Sequence, residues 1–71
     1  MVYEIKVYGV LDESWSNWLG EACIHAERGP DGGVITTLVG DWADQATLFG
    51  ILDRIRDLNL ALLSVTSRGP A

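Results

Sequence analysis

One stretch of this sequence has the spacing of an amphipathic helix, and the segments on both sides of it read as strands. Between residues 44 and 59, large aliphatic side chains recur every three or four positions and form one apolar stripe. The stripe consists of Leu48, Ile51, Leu52, Ile55 and Leu58. Asp44 is a typical N-terminal capping residue, and Asn59 stands where a left-handed C-terminal cap is expected. Gly50 inside the helix costs about 1 kcal/mol relative to alanine, which predicts close packing there.

Two other segments, residues 2–11 and 21–28, alternate between apolar and polar side chains, as half-buried strands do. Residues 34–39 are rich in β-branched side chains and predict a third strand. The turn sequence at residues 29–33 joins the second and third strands as a hairpin loop. A last strand is predicted over residues 60–66, followed by a frayed tail at residues 67–71.

The segment between the first two strands predicts a short helix or a helical corner. Residues 12–20 begin with the capping residue Asp12, place Trp15 and Trp18 at helical spacing and end with Gly20. The element order predicts an α+β, ferredoxin-like fold with a truncated first helix and a four-stranded, mainly antiparallel sheet. Nine residues are few for a crossover between parallel strands, so a three-strand meander followed by the helix and a strand is the competing topology.

A chain of 71 residues fits a single domain, residues 1–71, with one small core. It contains one cysteine and one histidine, so it cannot build a disulfide or a structural metal site on its own. Self-association is therefore expected to contribute to stability, with a dimer as the first choice. The absence of an export signal and the lone cysteine predict a cytoplasmic protein.

The net charge of −5 restricts the partners that the sequence favours. Binding to nucleic acid or to an anionic membrane surface needs clustered basic residues, whereas the five basic residues here are scattered singly or paired. No apolar run approaches the roughly 18 residues that a membrane span needs. We therefore expect neither nucleic acid nor a membrane as a partner.

Two stretches carry a resemblance to known sequences. Residues 9–19 read GVLDESWSNWL, and residues 44–65 include DQA, GIL, IRDL and LLSV. Through these motifs the chain resembles a family of small uncharacterised bacterial proteins, and the resemblance covers most of the chain. Asn59 stands where glycine is expected in similar chains. The resemblance implies no activity, cofactor or catalytic residue.

Cys23 and His25 form the most chemically suggestive pair in the sequence. They are two residues apart on a strand, so they share one face of the sheet with Glu21 and Glu27. Such a pair can serve as an activated thiol or as half of a metal site. The alternative is a small apolar side chain beside an amphipathic one at a sheet surface. Two ligands fall short of the usual zinc coordination, so the sequence favours this structural role and predicts no metal or cofactor.

Three tryptophans form the second set of candidates. Trp15, Trp18 and Trp42 can line a pocket for a flat or cationic ligand, or they can pin the short helix and cover the start of the long one. Three indoles are a large amphipathic surface for a small core to bury completely. The sequence favours the structural role and leaves a ligand or partner surface as the alternative.

The leading function predicted from the sequence is a non-catalytic binding or protein-interaction module. It acts as a homo-oligomer through the sheet face that the long helix leaves bare. The glycine-rich turn lacks the elements of a phosphate loop, and the serines form no triad, so catalysis is not favoured. Candidate ligand or interface residues are Tyr8, Trp15, Trp18, Cys23, His25 and Trp42. The alternatives are a small-ligand binder or minimal enzyme with a pocket at a dimer interface, and an acidic regulator of a basic partner protein.

Overall fold

A computed structural model describes residues 1–68. The elements in chain order are β1 (Val2–Tyr8), a short 3₁₀ helix (Glu13–Trp15), β2 (Cys23–Arg28), β3 (Val34–Asp41), α1 (Gln45–Asp57) and β4 (Ala61–Ser67). The predicted α+β class is confirmed, with a four-stranded antiparallel sheet and one α-helix over the described residues. The first strand ends three residues earlier than predicted, because Gly9 turns the chain with a φ of 132°.

The strands lie in the order β2-β3-β1-β4, and each neighbouring pair is antiparallel. β1 is thus an inner strand, and β3 separates it from β2. The competing meander requires β1 and β2 to be neighbours, so that topology is wrong. Residues 9–22, which include the 3₁₀ helix, connect these two parallel strands across β3.

The core lies on one face of the sheet, under α1. Alternate residues of β1 point into it, so the predicted alternation of Tyr3, Ile5 and Val7 is confirmed by their burial. Leu38 of β3 joins them from the neighbouring strand. The helix contributes the buried side chains Leu48, Ile51 and Ile55.

Trp42 holds the connection of residues 9–22 onto this core. Its ring stacks on Tyr3 with ring centroids 6.2 Å apart, and its Nε1–H donates a hydrogen bond to the Gly20 carbonyl at 3.0 Å. Leu19, in the same connection, is fully buried. A segment with so little regular structure is therefore fixed by tertiary contacts.

Both predicted helix caps are confirmed. The Asp44 carboxylate accepts hydrogen bonds from the Thr47 N–H and the Thr47 hydroxyl, both at 2.9 Å. Asn59 has a φ of 61°, and its N–H donates to the Arg56 carbonyl while the Leu60 N–H donates to the Ile55 carbonyl. These two bonds are the double hydrogen bond of a Schellman cap, which satisfies carbonyls at the end of the helix.

The close packing predicted at Gly50 is wrong. Gly50 is exposed, and a methyl group there would meet no atom within 4 Å. The residue lies on the side of α1 that faces away from the buried stripe. The glycine therefore costs helix stability without making a contact in return.

The end of the chain differs in part from the predicted frayed tail. Ser67 belongs to β4, and the Arg68 N–H donates to the Val2 carbonyl at 2.6 Å. The predicted tail also includes residues 69–71, which lie outside the described residues. Within residues 1–68, no helix has both the length and the apolar character needed to cross a membrane.

Candidate functional site

The sheet face opposite α1 carries three of the residues predicted from the sequence. The strand registers pair Cys23 with Val39, which pairs in turn with Glu4 across β3, and they pair His25 with Thr37, which pairs in turn with Lys6. We call this surface the uncovered face. Its side chains on β1, β2 and β3 are half-buried or exposed, and they are Glu4, Lys6, Tyr8, Cys23, His25, Glu27, Ile35, Thr37 and Val39.

Tyr8 and Cys23 share this face but not a site. Cys23 is level with Glu4, and Tyr8 lies four residues farther along β1, which corresponds to about 13 Å. Glu21, which was predicted to flank Cys23 on the second strand, precedes β2 and has a φ of 60°. The predicted set therefore does not converge on one point.

The Glu4 and Lys6 charges of the uncovered face are paired within the chain. The Lys6 ammonium lies 4.0 Å from the Glu4 carboxylate, which also lies 3.7 Å from the Arg68 guanidinium. Such partly exposed ion pairs contribute little to stability, with a typical value of about 0–1 kcal/mol. The face is consequently mixed in character, with charged groups between its apolar side chains.

Tyr8 makes its polar contact at the end of the sheet. Its hydroxyl donates to the Asp31 carboxylate in the hairpin loop at 2.9 Å. This hydrogen bond, together with the negative charge of Asp31, raises the pKa of Tyr8. The pKa of Asp31 is lowered, first by the Gly33 N–H that it accepts and then by the Tyr8 hydroxyl.

A shallow depression lies beside Cys23. It has a volume of about 360 Å³. The lining residues are Glu13, Ser16, Glu21, Ala22, Cys23 and Ile24. His25 is not among them, because it points from the next outward position of β2. Over residues 1–68, no three His, Cys, Asp or Glu side chains are grouped closely enough to hold a metal ion.

The three tryptophans occupy two separate places. Trp42 is 3% exposed and belongs to the core. Trp15 and Trp18 pack against each other with ring centroids 5.4 Å apart, and each remains 39% exposed. The Arg54 guanidinium lies 5.6 Å from the Trp18 ring and donates to the Trp18 carbonyl, which ties this pair to α1.

β4 forms an exposed apolar edge that the sequence analysis missed. Leu62, Leu63 and Val65 are 51%, 50% and 40% exposed. Leu62 pairs with Val7 and Val65 with Ile5, so both continue the core face of the sheet, although their partners on β1 are fully buried. The available sequence signal was the absence of any charged residue from Ala61 to Ser67.

An apolar groove runs between α1 and β4 along the same edge. It has a volume of about 340 Å³. The lining residues are Leu52, Ile55, Arg56, Asn59, Leu60 and Leu62. Phe49, which is 58% exposed, precedes Leu52 by three residues and therefore lies on the same side of the helix. We call β4, this groove and Phe49 the β4 surface.

Comparison with known proteins assigns the chain to a family. The model of a domain of unknown function, DUF8691, matches residues 2–66. No curated protein and no solved structure matches the chain. The predicted membership in a family without an established activity is thereby confirmed. With nearly its whole length matched, the chain belongs to the DUF8691 family of domains of unknown function.

Proposed function

We propose that this protein is a small cytoplasmic, non-catalytic interaction module that works as a homo-oligomer, with a dimer as the first choice. Its scaffold is a ferredoxin-like fold in which the first helix is reduced to the 3₁₀ turn at Glu13–Trp15. The strand order β2-β3-β1-β4, with each parallel pair of strands separated by an antiparallel one, supports this assignment.

The observation that carries the proposal is the apolar surface along β4. All seven residues of that strand are exposed, and Leu62, Leu63 and Phe49 are each half exposed or more. Monomeric proteins rarely leave large contiguous apolar patches open to water, and such patches mark interaction sites. The α-helix of 13 residues is too narrow to cover all four strands, so another chain is the means of burying this edge.

The placement of the chemically reactive side chains supports a role without catalysis. Tyr8 lies about 13 Å along the sheet from the row of Cys23, and Trp42 is buried in the core. The free, exposed thiol of Cys23 supports a reducing compartment such as the cytoplasm.

Sedimentation over a dilution series tests the proposal. At micromolar concentration we expect at least twice the chain mass of 7.7 kDa. Since association favours the folded state by mass action, the midpoint of thermal unfolding should rise with protein concentration. A species of 7.7 kDa throughout the series, with a constant midpoint, would contradict the proposal.

A further inference from the structure

β4 is an open edge of the sheet. In the described residues it pairs with β1 on one side, and its other side has no neighbouring strand. The backbone N–H and C=O groups along that side are a template for another strand. The occupant that fits this edge best is therefore an extended segment that adds to the sheet.

The two edges of the sheet differ in how they are protected. β2, at the opposite edge, carries Glu27, Arg28 and His25, and charged side chains are a common means of preventing edge-to-edge pairing. β4 has no charged residue and no proline from Ala61 to Ser67. The irregular register at Leu63 is its one interruption. Only the β4 edge is thus suited to accept a neutral apolar strand.

Charge indicates which strand can pair there. Two copies of a chain with a net charge of −5 repel each other, so a stable contact must exclude the acidic side chains. Contact through two β4 strands meets this requirement, because no like charges come into register. Arg56 lines the groove, but its guanidinium is paired within its own chain. It lies 3.7 Å from the Asp53 carboxylate and 3.8 Å from the Asp57 carboxylate.

Two copies of β4 can pair with each other about a two-fold axis. Antiparallel pairing of two identical strands is self-complementary, and seven residues extend for about 24 Å. The apolar side chains Leu62 and Val65 of each copy then lie beside those of the other on the α1 side of the sheet. A dimer of standard size buries about 800 Å² per partner, a modest part of the 4551 Å² accessible surface of the chain.

We propose that the occupant of the β4 surface is β4 of a second copy of this chain. The two strands pair antiparallel about a two-fold axis, and the two sheets form one continuous sheet of eight strands. This inference rests on the proposed homo-oligomer. It places the contact between the two copies at the β4 surface instead of the uncovered face.

Three substitutions that each introduce one lysine test the contact. Leu63→Lys places the charge on β4, Tyr8→Lys places it on the uncovered face, and Val10→Lys places it on a residue that is 70% exposed outside both surfaces. We expect Leu63→Lys to raise the dimer dissociation constant on the order of tenfold or more, because each copy then brings a charged side chain into the apolar β4 contact. Tyr8→Lys and Val10→Lys should leave the constant within about twofold of the parent. Circular dichroism at each concentration reports whether a variant is folded.

The outcomes separate this inference from the proposed function. A dimeric parent that is dissociated by Tyr8→Lys but not by Leu63→Lys overturns the β4 contact and leaves the homo-oligomer standing. A monomeric parent overturns both. A parent that is monomeric but captures a strand peptide of another sequence shows that a different protein occupies the edge.

A cysteine scan tests the same contact without relying on a disruptive variant. In a Cys23→Ser background, single cysteines are placed at Leu63, Ser64, Val65 and Thr66, with Thr37→Cys as the control on the uncovered face. Residues directly opposite in antiparallel strands have the Cα separation that a disulfide requires, about 4.4–6.8 Å. We expect oxidation to cross-link the β4 variant nearest the axis in high yield and to leave Thr37→Cys monomeric on a denaturing gel. Efficient cross-linking of Thr37→Cys alone would contradict the inference.

Discussion

The hydroxyl of Tyr8, the last residue of β1, donates to the carboxylate of Asp31 in the loop between β2 and β3, at 2.9 Å. Asp31 also accepts the Gly33 N–H at 3.0 Å within that loop. The hairpin loop is thereby tied to a third strand, in addition to the two strands that it joins. The bond makes the stability of this end of the sheet depend on the protonation of both partners.

The pH dependence of stability should report this bond. Because the pKa of Asp31 is lowered on folding, it contributes stability above its ordinary pKa of 3.8, and that stability is lost as the pH falls through the lower folded pKa. The pKa of Tyr8 is raised, so its contribution is complete below 10.0 and is lost as the pH rises through the higher folded pKa. We expect Tyr8→Phe to weaken the dependence of folding stability on pH in both the acid and the alkaline range. Urea titrations from acid to alkaline pH measure this, and a Tyr8→Phe profile parallel to that of the parent would contradict it.

The cap at Asp44 should matter more than the neighbouring acid at Asp41. Asp44 accepts two hydrogen bonds from Thr47, of which the one from the backbone N–H contributes most to the lowering of its pKa. Asp44→Ala leaves that N–H unpaired, so we expect a larger fall in the urea midpoint than for Asp41→Ala, and a smaller fall for Asp44→Asn, since asparagine also caps helices. Asp41 forms an exposed ion pair with the N-terminal ammonium at 2.9 Å, a kind of contact that contributes little, so a more damaging Asp41→Ala would contradict this ranking.

Two substitutions of glycine by alanine should have opposite effects. Gly50→Ala adds a methyl group in open space inside a helix, so we expect the free energy of unfolding to rise by about 0.5–1 kcal/mol. Gly33→Ala would drive a methyl group into the Tyr8 hydroxyl, so we expect destabilisation. Chemical denaturation of both variants at one protein concentration gives the comparison. A loss of stability in Gly50→Ala would show that the residue has a contact that its exposure does not reveal.

Truncation of the helix core should destabilise the protein strongly. Ile55 is 2% exposed and Leu48 is 6% exposed, and their replacement by alanine is expected to cost about 2–5 kcal/mol each. Val10→Ala, at a residue 70% exposed, is the matched control and should stay within about 0.5 kcal/mol of the parent. Thermal melts that show Leu48→Ala and Val10→Ala equally stable would overturn the assigned buried face.

Local signals in the sequence predicted local structure well. Asp44 and Asn59 are recognisable as caps because their side-chain and backbone preferences act within a few residues. The alternation of Tyr3, Ile5 and Val7 likewise reports which face of a strand is buried. The prediction of close packing at Gly50 was wrong. A glycine that costs helix stability suggests that its small size is needed for a close contact, but a methyl group there would meet no atom within 4 Å.

Relations between distant segments were harder to predict. The choice between the two topologies depended on residues 9–22, whose path is fixed by Trp42 and Leu19 rather than by a helix of its own. The alternation placed Tyr8 and Cys23 on one face, but their separation depends on a register through β3 that neither strand specifies alone. The exposure of β4 follows from the width of one helix, about 10–12 Å, over strands spaced about 4.8 Å apart.

The position of β1 inside the sheet has a consequence for the order in which the protein folds. Ile5 pairs with Leu38 on one side and with Val65 on the other, so its partners follow it by 33 and 60 residues (38 − 5 and 65 − 5). Only the β2–β3 hairpin can close locally. Pairings between distant segments slow folding, since chain entropy is lost before the contacts form. During synthesis, at about 5–20 residues per second, the first strand waits several seconds for its second neighbour. The nascent chain therefore exposes Tyr3, Ile5 and Val7, the core residues of this strand, to other chains or chaperones until β4 has left the ribosome.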